Sequence, residues 1–200
     1  LVKEKASEMG GGYKIKNQNG IYFITPTIVG WLDVFTRKVY KDLILDSLRY
    51  CIEHKGLKVY SYVVMTNHIH LVCQASQGYN LSSIVRDFKK FTTKEIVKLI
   101  LTSNIESRQE WMLRLLKYYS KYNSSNIKYQ MWKNDNHPVE LFSDMWISRR
   151  INYIHQNPVR AGIVRNPEDY LYSSASNYQS KESILEAVVV YNYGLYDDDE

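Results

Sequence analysis

The sequence predicts an α+β fold in which α-helices flank an antiparallel β-sheet. Two strand-like runs, residues 57–65 and 68–74, are separated only by Thr66 and Asn67, which is the pattern of an antiparallel hairpin. A third β-branched and aromatic run covers residues 21–25. Elsewhere, apolar residues recur at three- and four-residue steps, which indicates amphipathic helices that pack on the sheet.

The helices are expected between these strands and after them. Thr36 is a candidate N-cap for a first helix, which Gly56 would end. Asn80 is a candidate N-cap for a second helix, whose inward face carries Leu81, Ile84, Val85, Phe88 and Phe91. A third helix is predicted over residues 105–121.

The C-terminal part is predicted to contain one more helix and two further strands. Ser143 is the candidate N-cap of this helix, and Pro158 is expected to end it at or near Asn157. The runs 161–164 and 184–190 are predicted to add strands.

Length and composition indicate one globular domain. The 200 residues are 44% hydrophobic, enough for a sizeable core. We expect a flexible Gly-rich extension over residues 1–12, a single domain over residues 13–196 and an acidic tail over residues 197–200.

Charge favours a partner that carries phosphate. The chain has a formal net charge of +5, which rises to +9 when the four acidic residues 197–200 are left out. A basic body is suited to DNA, although the same charge also fits a solvated surface. On the second helix, Arg86, Lys90, Lys94 and Lys98 follow at four-residue steps, with Lys89 beside them. This basic ridge fits contact with a DNA backbone and a solvated helix face equally well.

Cysteine usage and hydropathy point to the cytoplasm. Cys51 and Cys73 lie in apolar runs without CxxC spacing, so they are expected to be buried thiols in a reducing compartment. No apolar stretch approaches 18 residues, so no membrane partner is expected. We expect a cytoplasmic, nucleoid-associated protein.

The strongest candidate for chemistry is the pair His68 and His70. Side chains alternate along an extended strand, so the two imidazoles project from the same face while Ile69 and Leu71 point the other way. Such a pair can hold a divalent cation if a third ligand comes from elsewhere. By itself, however, His-x-His in a strand is more often two half-exposed histidines than a metal site.

A second stretch, residues 153–158, adds a nucleophile and an oxygen ligand at helical spacing. Tyr153 and Asn157 are four residues apart and therefore share a helix face, with Arg149 one turn earlier. The alternative for a single Tyr is a half-buried packing residue. His155 points around the helix and is expected to be a hydrogen-bonded structural residue.

Four segments together resemble a known family. They are residues 62–71 (YVVMTNHIHL), 88–92 (FKKFT), 153–162 (YIHQNPVRAG) and 172–175 (YSSA). The chain is similar in these segments to the REP-associated tyrosine transposases, which are single-tyrosine HUH nucleases akin to transposases of the smallest insertion sequences. The resemblance runs from about residue 13 to residue 178.

The resemblance implies a ferredoxin-like or RRM-like HUH nuclease fold and a specific chemistry. It implies Tyr153 as catalytic nucleophile, a Mg²⁺ or Mn²⁺ ion held by His68, His70 and Asn157, and a 5′-phosphotyrosine intermediate on single-stranded or hairpin DNA. Relatives in mobile elements often have Gln as the third ligand, whereas Asn157 fits the REP-associated branch. The candidate DNA-binding residues are Arg86, Lys89, Lys90, Lys94, Arg149, Arg150 and Arg160.

Two other functions compete with this hypothesis. A domesticated protein that binds hairpin DNA without cutting it would need neither the metal nor the tyrosine. A zinc hydrolase is weaker, because no general-base Glu lies near the histidines and no thiolate ligands are at hand. A homodimer is also expected, and whether Tyr153 meets His68 of its own chain or of a second copy is open from sequence.

Overall fold

The computed structural model describes residues 14–103, 106–121 and 128–192. The extension expected over residues 1–12 and the acidic tail expected over residues 197–200 lie outside the described residues.

A four-stranded antiparallel sheet forms the centre of the fold. Its strands are β1 (Tyr22–Ile24), β2 (Leu57–Val64), β3 (Ile69–Ala75) and β4 (Val139–Glu140). Their order in the sheet is β2-β3-β1-β4, and every neighbouring pair is antiparallel. The hairpin predicted from residues 57–74 is the β2-β3 pair. The predicted α+β class with an antiparallel sheet is therefore confirmed.

Helices cover both faces of this sheet. They are α1 (Lys38–Lys55), α2 (Leu81–Thr102), α3 (Gln109–Ser120), α4 (Asp144–Arg160) and α5 (Ala175–Tyr178). Leu71 and Cys73 of β3 lie against Leu48 of α1 and Phe88 of α2. Because side chains alternate along a strand, His70 faces the opposite side, where α4 contacts β2 and β3. The sheet thus lies between α2 on one face and α4 on the other.

Side-chain caps fix the starts of two helices as predicted. The side chain of Asn80 accepts a hydrogen bond from Ser83 N at 2.8 Å, and that of Ser143 accepts one from Trp146 N. Gly56 ends α1 in the left-handed conformation with φ 66°. The prediction of Thr36 as the N-cap of α1 was wrong, because the helix begins one residue later and its N-cap is Arg37, which makes no side-chain capping bond. The Thr36 hydroxyl accepts a hydrogen bond from Arg108 Nη2.

The end of α4 differs from the prediction. Pro158 lies inside this helix, which continues to Arg160. A proline removes only one donor from the last turn, and Ala161 N still donates to Asn157 O at 3.0 Å. The helix then closes as a Schellman motif: Gly162, at φ 69°, donates to Val159 O, and the N–H of residue 163 donates to Pro158 O.

The predictions of strands over residues 161–164 and 184–190 were wrong. The first run forms the turn that closes α4. The second has no strand pairing in the described chain, although Val189 N donates to Val59 O at 2.9 Å. The fourth strand is instead β4, which is only two residues long and follows the turn at residues 134–138. Within the described residues, no helix is long and apolar enough to span a bilayer.

The connection between α2 and α3 contains a buried carboxylate. Glu106 is 4% exposed and accepts hydrogen bonds from Arg37 Nε at 3.1 Å and Arg108 Nε at 3.0 Å. Burial alone would raise the pKa of Glu106, but the hydrogen bonds from Arg108 and Arg37 outweigh it and lower the pKa to about 2. Arg108 also donates to Asp33 O and Thr36 Oγ1, so the cluster ties this connection to residues 33–36.

We expect Glu106→Gln to lower the free energy of unfolding at pH 7 by about 2–3 kcal/mol. Because the folded-state pKa is depressed, this stabilisation is complete above the unfolded value and is lost as pH falls towards 2. Urea unfolding between pH 7 and pH 3 tests this, with Glu186→Gln, an exposed position, as control. Equal losses of stability on acidification in Glu106→Gln and the unmodified protein would contradict the assignment.

Candidate active site

The two histidines of the hairpin lie side by side on the α4 face of the sheet. Met65 N donates to His68 O at 2.9 Å, so His68 closes the hairpin turn, while His70 belongs to β3. The centroids of their rings are 4.7 Å apart. His70 is buried and His68 is half-buried. The alternation of side chains that the sequence predicts is therefore present.

Tyr153 of α4 reaches this pair from the helix that covers the face. Its ring centroid lies 5.4 Å from that of His70. Phe23 of β1 completes the cluster, since its ring stacks on His70 at 5.2 Å and meets Tyr153 edge-on at 6.0 Å. The Tyr153 ring therefore packs beside the His70 ring of its own chain.

Hydrogen bonds to the Nδ1 atoms orient both imidazoles. His68 Nδ1 lies 2.8 Å from Asn67 Oδ1, and Asn67 Nδ2 donates to Asp33 Oδ1 and Trp31 O. Because the amide nitrogen is used by two acceptors, Asn67 Oδ1 must accept from His68 Nδ1, which leaves the Nε2 lone pair free. His70 Nδ1 lies 2.9 Å from Thr25 Oγ1, so its Nε2 is likewise not engaged by this partner.

Burial keeps the histidines neutral. Burial lowers the pKa of His68. For His70, burial is the main cause, and the electrostatic interactions with the His68 ring and the Arg150 guanidinium add to it and lower the pKa to about 3. Neutral imidazole is the form that binds a metal ion. The donor set therefore fits a divalent cation in its protonation state as well as in its orientation.

Asn157 is a polar neighbour of Tyr153 on α4. Its Nδ2 donates to Tyr153 O at 2.8 Å, which leaves Oδ1 as the atom for a further ligand. Within the described part of the chain, no three residues among His, Cys, Asp and Glu cluster as a metal site would require. A cation at the histidine pair would therefore need an oxygen from an amide, from water or from a substrate.

Three arginines of α4 lie near Tyr153 in the chain, and one of them contacts its ring. Arg160 Cζ lies 5.4 Å from the ring centroid of Tyr153, and Arg150 Cζ lies 4.9 Å from that of Phe23. Arg149 is exposed one turn before Tyr153. Among the described residues Arg150 forms no ion pair with a carboxylate, so its guanidinium is not neutralised by an acidic side chain.

The basic ridge of α2 is not part of this cluster. Arg86, Lys90 and Lys94 are exposed on α2, on the other side of the sheet from His70. Lys89 differs from them, because its Nζ donates to Lys133 O and Asn136 Oδ1. Burial lowers the pKa of Lys89 to about 8. Its ammonium therefore holds the segment that precedes β4.

His155 has the structural role that its helical position predicts. It is buried, and its Nε2 lies 2.9 Å from Ser174 Oγ and 3.2 Å from Ser61 Oγ. Burial lowers its pKa to about 4. The neutral ring joins α4 to β2 and to the loop before α5.

Sequence reasoning missed the residues that support the site. Phe23, Thr25 and Asn67 contact the histidines through strand register and turn geometry. Of these three, only Asn67 could have been found from the sequence, because it is adjacent to His68 and an amide beside a histidine can form a hydrogen bond with its ring nitrogen.

Comparisons with known proteins identify the class. A family model described as "Transposase IS200 like" matches residues 32–133, half of the chain. The match indicates a transposase-type protein with a DNA-processing role. The chain belongs to the IS200-like transposase family, as the resemblance to transposases of small insertion sequences implied. The matched range contains His68 and His70 and ends before α4.

A solved structure shows the same fold. The chain is similar to a REP-associated tyrosine transposase bound to a REP hairpin, with a TM-score of 0.61 and 17% sequence identity over 92% of this chain and 95% of that chain. Among curated proteins, none matches the chain.

Proposed function

We propose that the protein is a metal-dependent endonuclease and strand transferase for single-stranded DNA, with Tyr153 as the nucleophile. The observation that carries this proposal is the 5.4 Å approach of the Tyr153 ring to His70, across the interface between α4 and β3. The family membership supports a DNA-processing role. Because Tyr153 packs on His70 of its own chain, and His70 lies beside His68, we propose that one copy of the chain forms this site.

The reaction we propose is a transesterification. Tyr153 Oη forms a bond to the phosphorus atom, the bond from phosphorus to the 3′ oxygen breaks, and the phenol proton is balanced by a proton gained at the 3′ oxygen. A phenol is a modest nucleophile near neutral pH, so in-line positioning must supply much of the acceleration. The 5′-phosphotyrosine keeps the energy of the broken bond, which allows rejoining without ATP.

His68, His70 and Asn157 would hold the divalent cation, Mg²⁺ or Mn²⁺. Two imidazole nitrogens and an amide oxygen suit either ion, with the nitrogens favouring Mn²⁺. When bound there, such a cation neutralises charge on a non-bridging phosphate oxygen. The protein's own contribution is two imidazoles that burial keeps neutral and that hydrogen bonds with Asn67 and Thr25 orient.

Hairpin DNA with a single-stranded flank is the substrate class we propose. The structurally similar transposase is bound to a REP hairpin. Arg149, Arg150 and Arg160 lie on the same helix as Tyr153 and offer charge to the backbone phosphates. Arg86, Lys90 and Lys94 of α2 can contact DNA only where it passes around to the opposite side of the sheet.

The test is a cleavage assay with a panel of single-stranded hairpin oligonucleotides carrying a 3′ or 5′ flank, with Mn²⁺, Mg²⁺ or EDTA. We expect a denaturation-resistant protein–DNA band with Mn²⁺ or Mg²⁺ and none with EDTA. Binding without a covalent band under every metal condition would instead identify a hairpin-binding protein that does not cut.

Asn67 provides a test of the positioned histidine. We expect Asn67→Ala to weaken Mn²⁺ binding by about 10- to 100-fold, because His68 loses the bond that fixes its tautomer. Calorimetric titration of Mn²⁺ measures this. Asn152→Ala, at an exposed position of α4, is the matched control and should bind Mn²⁺ as the unmodified protein does.

A further inference from the structure

Trp31 is an exposed aromatic residue in a strained backbone conformation. It is 60% exposed, and its φ of 54° places it in the left-handed region that bulky residues rarely occupy. The residue before it, Gly30, also has a positive φ of 61°. A bulky side chain in this conformation costs free energy and persists only where the surroundings enforce it. The indole is thus displayed to solvent at a cost.

Neighbouring residues hold Trp31 in this backbone conformation. Trp31 O accepts a hydrogen bond from Asn67 Nδ2 at 3.3 Å, and Trp31 N donates to Ile28 O at 3.2 Å. A Cβ on Gly30 would lie 2.8 Å from the ring of Tyr119, so the turn packs tightly on α3. Lys133 Nζ lies 4.1 Å from the centroid of the indole, in cation–π contact. The ring is therefore held in place before any ligand arrives.

The indole stands beside the candidate site. Its centroid lies 6.5 Å from that of the His68 ring, with the two ring planes at 76°. The same Asn67 side chain bonds the backbone oxygen of Trp31 and His68 Nδ1, so one residue links the Trp31 backbone to the His68 ring. An exposed, fixed aromatic ring stacks on unpaired bases of any sequence. Lys133 adds a positive charge for the phosphate of the same nucleotide.

We propose that Trp31 is the stacking platform for an unpaired nucleobase next to the scissile phosphate, with Lys133 at the adjoining phosphate. The inference rests on the proposed single-stranded DNA function and adds a nucleotide-binding site to it. The ligand class is a flipped or unpaired base, because a base within a stacked duplex has no free face to offer.

The experiment uses a hairpin oligonucleotide that the unmodified protein converts to the covalent adduct, with 2-aminopurine placed at each flank position in turn. In EDTA, we expect the protein to quench the fluorescence at one position beside the cleavage point. Trp31→Ala should abolish this quenching and weaken binding on the order of tenfold, whereas Trp31→Phe should retain part of both. Trp111→Ala, 50% exposed on α3, is the matched control and should behave as the unmodified protein.

Two results would overturn the inference in distinguishable ways. Adduct formation by the unmodified protein together with equal quenching and affinity in Trp31→Ala would refute the platform and leave the proposed function standing. Absence of the adduct for every hairpin and metal would remove the proposed function, and the platform with it. Thermal melting of both Trp31 variants checks that they fold. Trp31→Phe keeps an aromatic ring at this position, so it separates loss of stacking from a change in folding.

Discussion

Tyr153→Phe is expected to abolish the covalent protein–DNA adduct while leaving folding and hairpin binding unchanged. The substitution removes one oxygen and keeps the ring that contacts His70 and Phe23. Among the described residues, Tyr153 Oη makes no hydrogen bond within the protein, so its loss leaves no buried partner unpaired. Adduct formation should fall to the background of the assay, because no other atom at this position can attack phosphorus.

The measurement is the denaturation-resistant band on a hairpin that the unmodified protein cleaves with Mn²⁺. Tyr50→Phe is the matched control, since Tyr50 is exposed on α1, on the opposite side of the sheet. It should form the adduct at the unmodified rate. The chain contains 18 tyrosines, so peptide mapping of the adduct is needed to identify the attached one. An adduct of undiminished yield in Tyr153→Phe would exclude it as nucleophile.

Local patterns predicted the elements that place the site. The hairpin of β2 and β3 follows from two β-rich runs around a two-residue break, and the caps Asn80 and Ser143 follow from side chains that accept backbone hydrogen bonds. The orientation of His68 and His70 follows from the period of a strand. These features depend on residues close in sequence, so one sequence is enough to predict them.

Features that depend on distant residues were missed or wrong. β4 is a strand of two residues whose pairing with β1 is set by packing across the sheet, not by β propensity. Spacing shows that Arg86, Lys90 and Lys94 share a helix face, but only the layer order shows that the sheet separates this face from His70. The contact between Tyr153 and His70 could be predicted only from the family resemblance, because no sequence pattern relates residues 83 positions apart.

The roles of Asn67 and Trp31 show what geometry adds to motif matching. Asn67 is part of the segment that carries the resemblance, yet its two-sided bonding to His68 and Trp31 is visible only once residues 28–33 are folded over the hairpin turn. The Asn67 side chain thus hydrogen-bonds both the strained turn that carries the Trp31 indole and the imidazole of His68. This coupling predicts that substitutions at Asn67 disturb metal binding and base stacking together.

His68→Ala should lower metal-dependent cleavage by at least about 100-fold and weaken Mn²⁺ binding, while hairpin binding in EDTA stays unchanged. One of two imidazoles is lost, and His70 alone cannot hold the cation with an amide oxygen. Because His68 is half-buried at a turn, the cost in stability should be small. Its neighbour His70 is buried against Phe23 and is the less suitable position for this test.

Cleavage rates and calorimetric titrations with Mn²⁺ would be compared for His68→Ala, His68→Gln and His54→Ala. His54 is exposed on α1, away from Tyr153, so its removal controls for the loss of one histidine. His68→Gln offers an amide oxygen in place of the imidazole nitrogen and should recover part of the Mn²⁺ affinity. Cleavage and Mn²⁺ affinity that are the same in His68→Ala and His54→Ala would rule out a metal role for the hairpin pair. Tyr153 would then have to act on a phosphate neutralised by Arg149, Arg150 and Arg160 alone.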